Sequence, residues 1–391
     1  MQDFTIHLPT KVFFGRQSES KIGSTLQDSG YKKALIHYGK GSVVSNGLLQ
    51  RIITYLVDAG IDYVELGGVE PNPKIELVQE GVELAKQESV DIVVAVGGGS
   101  VIDSAKGICL AIANGQDTVY MLKHNIKPTK RFPLAVVLTI SAAGSEMSSS
   151  HVITDPNTKR KRGLGSDLLR PDFAFMNPEL TYTVGPYQTA CGIVDTMMHT
   201  LERYFTTDVD TELTDRLAEG LLTAVKNAGY AVMKNPEDYE ARATLMWASS
   251  VSHNGITGCG KTTFFPAHKL EHDISGLFDH VSHGAGLAVV FPAWAKYMYR
   301  YDVRKFAQLA VRVWGIDMDY DHPERTALLG IEALQTYFDF LGMPRTLTKL
   351  GVPKESWNQL ASMTTDQDSI RIKSYVPLTS KEILEIYALA D

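Results

Sequence analysis

The stretch DIVVAVGGGSVIDSAK (91–106) constrains the fold more than any other part of the chain. DIVVAV is apolar almost throughout, as a strand buried on both faces must be, and that pattern belongs to a parallel sheet covered by helices. It runs straight into Gly97, Gly98, Gly99 and Ser100 and then into a helical pattern. Glycines admit a ligand against the backbone, and a helix start offers unpaired N–H groups and the positive end of its dipole. A pyrophosphate is the natural occupant, and a tight strand-to-helix turn without ligand is the plainer alternative. Neither G-x-G-x-x-G nor a P-loop closed by Gly-Lys-Ser/Thr is spelled here.

The surrounding sequence repeats the alternation. KALIHY (33–38), YVEL (63–66) and FPLAVVLTIS (132–141) read as further strands, with helical patterns in VVSNGLLQRIITYLVDAG and KIELVQEGVELAKQES between them. Strand, helix, strand, helix predicts an α/β unit with a parallel sheet. From about Pro186 the pattern changes. Stretches such as 189–205, 214–233, 239–255 and 322–342 carry apolar residues at intervals of three and four, the mark of packed amphipathic helices. The expectation is two domains: residues 1–185, α/β and dinucleotide-binding, and residues 186–391, all-helical and metal-binding. A length of 391 residues accommodates both.

Composition removes several function classes. A formal net charge of −7 offers no basic face for nucleic acid or an acidic membrane. Cys109, Cys191 and Cys259 are far apart and odd in number, which suits a reducing compartment better than a disulfide framework. The N-terminus lacks the design of a signal peptide, and no uncharged run approaches the ~18–20 residues of a membrane helix. A cytoplasmic protein is expected.

The first strand ends in HYGKGS (37–42), with no Asp or Glu where a dinucleotide fold often holds the ribose 2′-hydroxyl. Gly39, Lys40, Gly41 and Ser42 could instead receive a 2′-phosphate, so NADP(H) is expected over NAD(H). Lys40 as a solvated turn residue remains the competing reading.

Four of the eleven histidines fall in AHKLEHDISGLFDHVSHG (267–284). In GIVDTMMHT, Asp195 and His199 lie four residues apart, a spacing that shares one helix face, and His268 and His272 repeat it. Taken singly, each is an ordinary surface or core residue. Asp195, His199, His268 and His283 together make one oxygen and three nitrogens, a donor set for Fe²⁺ or Zn²⁺. HKLEH also fits H-x-x-E-H, which in a zinc metallopeptidase puts a glutamate base beside a metal-bound water. A peptidase has no use for a glycine-rich nucleotide loop or for Asp195 and His199 on another helix. Glu271 is therefore expected to be a surface or ion-pairing residue.

With these motifs in order along essentially the whole chain, the sequence resembles the iron-containing (group III) alcohol dehydrogenase family, and its NADPH-dependent butanol dehydrogenase/aldehyde reductase branch. The matching pieces are PTKVFFG (9–15), YGKGS (38–42), VEPNP (69–73), VGGGSVIDSAK (96–106) and LTISAAGSEMS (138–148), followed by GIVDTMMHTLE (192–202) and the whole of 268–294. The resemblance implies a dehydroquinate synthase-like α/β domain followed by a helical metal-binding domain. It places metal ligands on Asp195, His199, His268 and His283, and His272 beside the metal without binding it. Gly97–Ser100 become the phosphate loop with Asp103 behind it. Asn72, Thr139 and Ser141 line the cofactor, and Lys161 stands near the nicotinamide end. The spacing departs once: His283 follows His268 by fifteen residues, one more than the family pattern. An inserted residue in the FDHVS turn accounts for it and leaves His280 as an alternative ligand.

The activity so implied is hydride transfer between NADP(H) and a short-chain primary alcohol or aldehyde, aided by a divalent metal, with His272 as a proton relay. A homodimer is implied too, with the strand-like FTIHL (4–8) at its interface. Phe264, Phe265 and Trp247 are candidates for an apolar substrate channel, although core is the commoner fate of such residues.

Overall fold

The computed structural model describes residues 1–155 and 160–391. The chain divides into a unit of His7–Val184 and a second unit formed by Met1–Ile6 with Gly185–Asp391.

In the first unit six strands form one parallel sheet: β1 (Lys11–Phe14), β2 (Lys33–Gly39), β3 (Asp62–Val69), β4 (Ile92–Gly97), β5 (Leu134–Leu138) and, after a hairpin, β8 (Phe173–Met176). Their order is β1-β8-β5-β4-β2-β3. The hairpin consists of β6 (Ser150–Asp155) and β7 (Arg160–Gly165), which pair antiparallel. Every residue of β4 is buried, as its apolar run required. Ala34 and Ile36 of β2, with Ile92, Val94 and Val96 of β4, pack one face against Ile22, Leu26, Ile52 and Leu56 from helices. His37 points to the other face, where its ring meets Ser104 of the helix Gly99–Asn114. The parallel sheet and its covering helices agree with the sequence pattern.

Strand order also locates the ligand edge. From β2 the chain steps outward to β3, then returns to the opposite side of β2 as β4 and proceeds to β5. The order reverses between β2 and β4, and in such sheets the crevice at the carboxyl ends of these strands takes the ligand. Those ends are Gly39–Ser42 and Gly97–Gly99.

The second unit is helical. Its long helices include Pro186–Tyr204, Glu212–Lys234, Tyr239–His253, Pro266–Leu277, His283–Met298 and Pro323–Phe340. Their apolar faces form one core, with Trp294, Tyr204, Phe205 and Phe291 among its largest fully buried members. FTIHL forms no strand: residues 1–10 pair with no sheet, and Phe4 and Ile6 are exposed.

Candidate metal centre and cofactor cradle

Three helices deliver the donor set. Pro186–Tyr204 carries Asp195 and His199 one turn apart, Pro266–Leu277 carries His268 and His272, and His283 is the first residue of His283–Met298. Asp195 Oδ1 lies 3.4 Å from His199 Nδ1, 3.6 Å from His268 Nε2 and 3.7 Å from His283 Nε2. An ion held at about 2.1 Å by four tetrahedral donors would set them about 3.4 Å apart. The distances fit that arrangement and exceed ordinary hydrogen bonds. Asp195 Oδ1, His199 Nδ1 and His268 Nε2 are also buried with no hydrogen-bond partner, which a bound cation would remedy. His283 is the open side of the set, 29% exposed where Asp195, His199 and His268 are at 6–7%.

Two buried carboxylates aim the imidazoles. Glu202, 1% exposed, accepts from His268 Nδ1 and from the backbone N–H of Ala267 at 2.6 Å. Glu271, fully buried, accepts from His283 Nδ1. With Nδ1–H engaged, each ring presents Nε2 as a lone-pair donor, the tautomer a metal requires. Burial would depress His268, but Glu202 and Asp195 outweigh it and lift the pKa of the metal-free imidazole to about 9. His199 goes the other way, pushed well down by burial and by the neighbouring His253 and His268, so it is neutral and ready to donate. Arg203 Nη1 donates to the carbonyl of His199 at 2.7 Å and its guanidinium lies 4.7 Å over the Phe265 ring.

Of the two fates expected for Glu271, surface residue or ion-pairing residue, the structure shows the second. It is ion-paired but not a surface residue, and its carboxylate is spent on His283. It is no base for a water at the open side of the set, and the peptidase reading falls with it. Glu202 was not assigned at all, although it follows Asp195 by seven residues and His199 by three on the same helical stripe. His280 stands outside the set: its Nε2 bonds the carbonyl of Leu350 at 3.2 Å. His272 is half-buried, its ring 6.2 Å from His268 and 5.4 Å from His283. Of the three aromatics, Phe265 stands beside the candidate donor set, 5.5 Å from the His268 ring, whereas Trp247 is 46% exposed and Phe264 is buried in the core.

In the α/β unit the loop after β4 is cut for close approach. A Cβ at Gly98 would stand 2.2 Å from Ile140 Cγ2, and one at Gly97 would stand 2.5 Å from Val101 Cγ2. No side chain caps the helix Gly99–Asn114, which leaves its first N–H groups for an anion. Thr139 donates its N–H to Gly97 O at 3.1 Å, and Ser141 Oγ is buried without a partner. These features fit a pyrophosphate-bearing cofactor. Asn72 holds the turn after β3 at φ 60°, Gly41 and Ser42 open the short helix after β2, and Lys161 lies on β7 opposite Thr154.

Asp103 lies on the helix Gly99–Asn114, just behind the glycine loop. Its Oδ1 accepts from Ser145 Oγ at 2.5 Å and its Oδ2 from Val152 N–H at 2.9 Å, so it clamps the 145–152 segment. Lys106, one turn on, is fully buried and donates to Ser145 Oγ, Ser148 O and Ser150 O at 2.8–3.0 Å. Burial draws its ammonium down to about 8 against the opposing pull of Asp103 and Glu146. Lys40 is 66% exposed in the turn after β2 and pairs with Glu70, just beyond β3.

Comparison with known proteins follows the same division. Residues 9–178 match the iron-containing alcohol dehydrogenase family and residues 189–390 its C-terminal domain. The chain is 39% identical over 388 residues to NADH-dependent butanol dehydrogenase A of Clostridium acetobutylicum, covering 99% of each. It is 35% identical over 360 residues to the NADPH-dependent aldehyde reductase YqhD of Escherichia coli, covering 91% of each. The crystal structure of NADH-dependent butanol dehydrogenase A from Thermotoga maritima superposes with a TM-score of 0.95 at 35% identity, covering 100% of this chain and 99% of that one.

Proposed function

The chain belongs to the iron-containing alcohol dehydrogenase family, and from that premise we propose an NADP(H)-accepting reductase of short-chain aldehydes. Alcohol dehydrogenase chemistry follows from the family and the relatives; the cofactor, substrate and site roles are the finer reading. The observation that carries it is the Asp195 oxygen ringed by three histidine nitrogens at 3.4–3.7 Å, in a chain that also carries the glycine cradle.

When bound, a divalent ion, Fe²⁺ or Zn²⁺, supplies Lewis acidity toward a carbonyl or alcohol oxygen, and the nicotinamide supplies or takes the hydride. The protein does the rest. Asp195, His199, His268 and His283 hold the ion, with Glu202 and Glu271 keeping protons on the Nδ1 atoms of His268 and His283. Gly97–Ser100 seat the pyrophosphate, and Thr139, Ser141, Asn72 and Lys161 line the cofactor. Lys40, with Gly39, Gly41 and Ser42, meets the ribose 2′ position. The His272 imidazole, beside the ligands and half-buried, relays a proton to solvent. Phe265 gives the ligand side an apolar wall suited to butyraldehyde-sized substrates.

No helix among the described residues is long and apolar enough to cross a membrane, and the proposed setting is the cytoplasm. The exposed Phe4, Ile6 and Leu8 support a homodimer built on the N-terminal arm.

The test is oxidation of NADPH and NADH with butyraldehyde, before and after chelation and with Fe²⁺ or Zn²⁺ restored. Metal-dependent turnover favouring NADPH supports the reading and names the ion. Absence of turnover with bound metal and bound NADPH defeats it.

A further inference from the structure

We propose that Glu70 is the residue that sets the choice between NAD(H) and NADP(H), acting through the two lysines that hold it. The inference rests on the dehydrogenase reading above and adds a residue to it.

A dinucleotide fold reads the ribose 2′ position with a carboxylate at the end of the strand next to the glycine-loop strand. Here that strand is β2, and its end, Gly39–Ser42, has none. The carboxylate arrives from the next strand. Gly39 is in register with Val69 of β3, and Glu70 follows immediately. Lys40 Nζ pairs with Glu70 Oε1, and Lys74 Nζ stands 2.7 Å from Glu70 Oε2. Each carboxylate oxygen therefore has its own ammonium group. Hydrogen bonds from Lys40 and Lys74 hold the Glu70 carboxyl down to about 2, so it is ionised wherever the enzyme works.

The triad is not what holds the backbone there. Lys74 bridges in parallel fashion to Thr154, and Thr154 donates its N–H to Pro73 O at 3.0 Å, tying the 70–74 turn to the hairpin. The three side chains are 34–66% exposed, and ion pairs so placed contribute little to stability. What they do control is the charge a cofactor meets. A 2′-hydroxyl can donate to Glu70. A 2′-phosphate brings about two negative charges and must take Lys40 from Glu70 while standing beside that carboxylate. Glu70 thus narrows the preference for a 2′-phosphate that Lys40 supplies, and its two ion pairs set by how much.

The experiment compares wild type, Glu70→Gln and Lys40→Ala. Each is titrated with 2′,5′-ADP and with 5′-AMP by calorimetry, and kcat/KM is measured with NADPH and NADH. In Glu70→Gln both lysines lose the opposing carboxylate, and 2′,5′-ADP should bind about tenfold tighter or better, with 5′-AMP unchanged or weaker. The NADPH/NADH ratio of kcat/KM should rise by a similar factor. Lys40→Ala should lose 2′,5′-ADP selectively. A Glu70→Gln protein that melts like wild type yet keeps both fragment affinities and the ratio within about twofold overturns the proposal. So does an equal loss for both fragments, the signature of a merely structural role. If wild type turns over neither cofactor, the dehydrogenase reading fails instead, while the fragment titrations still judge Glu70.

Discussion

Gly284 rests directly against the backbone of Cys191: a Cβ there would stand 2.2 Å from the Cys191 carbonyl oxygen and 2.6 Å from its Cα. The contact joins the helix that starts at His283 to the helix that carries Asp195, four residues beyond Cys191. Without a side chain at 284 the two helices close, and His283 Nε2 comes within 3.7 Å of Asp195 Oδ1.

Gly284→Ala should therefore open the donor set before it unfolds the unit. Backbone cannot swing aside as a flexible side chain can, so the expected cost is about 1–3 kcal/mol of stability with a loss of bound metal. Metal content per protomer and urea midpoints check it. Full occupancy with unchanged stability would refute the close-approach argument.

Glu202→Gln keeps the shape of the side chain but removes the charge facing His268 Nδ1. Metal affinity should fall by about 10–100-fold, read by chelator competition, while far-UV circular dichroism stays as in wild type. An unchanged affinity would show that the helix backbone alone orients His268.

Gly98→Ala should separate the two ligands of the enzyme. Its Cβ would meet Ile140 Cγ2 at 2.2 Å and displace the loop, weakening cofactor binding by about tenfold or more while metal content is unchanged. Adding Ile140→Ala should recover part of the loss. Failure of that rescue would mean the loop is limited elsewhere.

The α/β unit should weaken in mild acid. Burial holds His37 down to about 4 and His151 to about 3, against an unfolded value near 6.5. Below pH 6.5 the unfolded chain takes up these protons and the folded one does not. The stability each contributes is complete above pH 6.5 and is lost as pH falls toward 4 and 3. For His37 the span amounts to about 3 kcal/mol. Burial keeps the His37 ring neutral against the bond from its Nδ1 to Leu66 O at 2.9 Å, which favours the proton, while its Nε2 bonds Ser104 Oγ at 2.8 Å. Urea unfolding between pH 7.5 and 4.5 tests this, and a flat profile would contradict it.

How much was legible depended on whether the signal is local. The run DIVVAV determined a buried strand because no exposed strand tolerates it, and the spacing of Asp195 and His199 determined a shared helix face because 3.6 residues make a turn. The change of period near Pro186 marked where helices take over, for the same reason. The tertiary structure decided what depends on partners distant in sequence. Glu271 sits within HKLEH, where a surface or ion-pairing residue was expected, and only the packing of Gly286 against it and of His283 beside it makes it a buried acceptor. Glu202 shares the stripe of Asp195, yet nothing local says that His268, sixty-six residues on, will turn Nδ1 toward it. Asp103 lies behind the glycine loop in sequence, but the 145–152 segment claims its carboxylate. The partner of Lys40 was not legible because Glu70, just beyond β3, is brought alongside by a register that β2 and β3 adopt only together. Periodicity and spacing are written into the chain; the partner of a charged group is chosen only when the chain has folded.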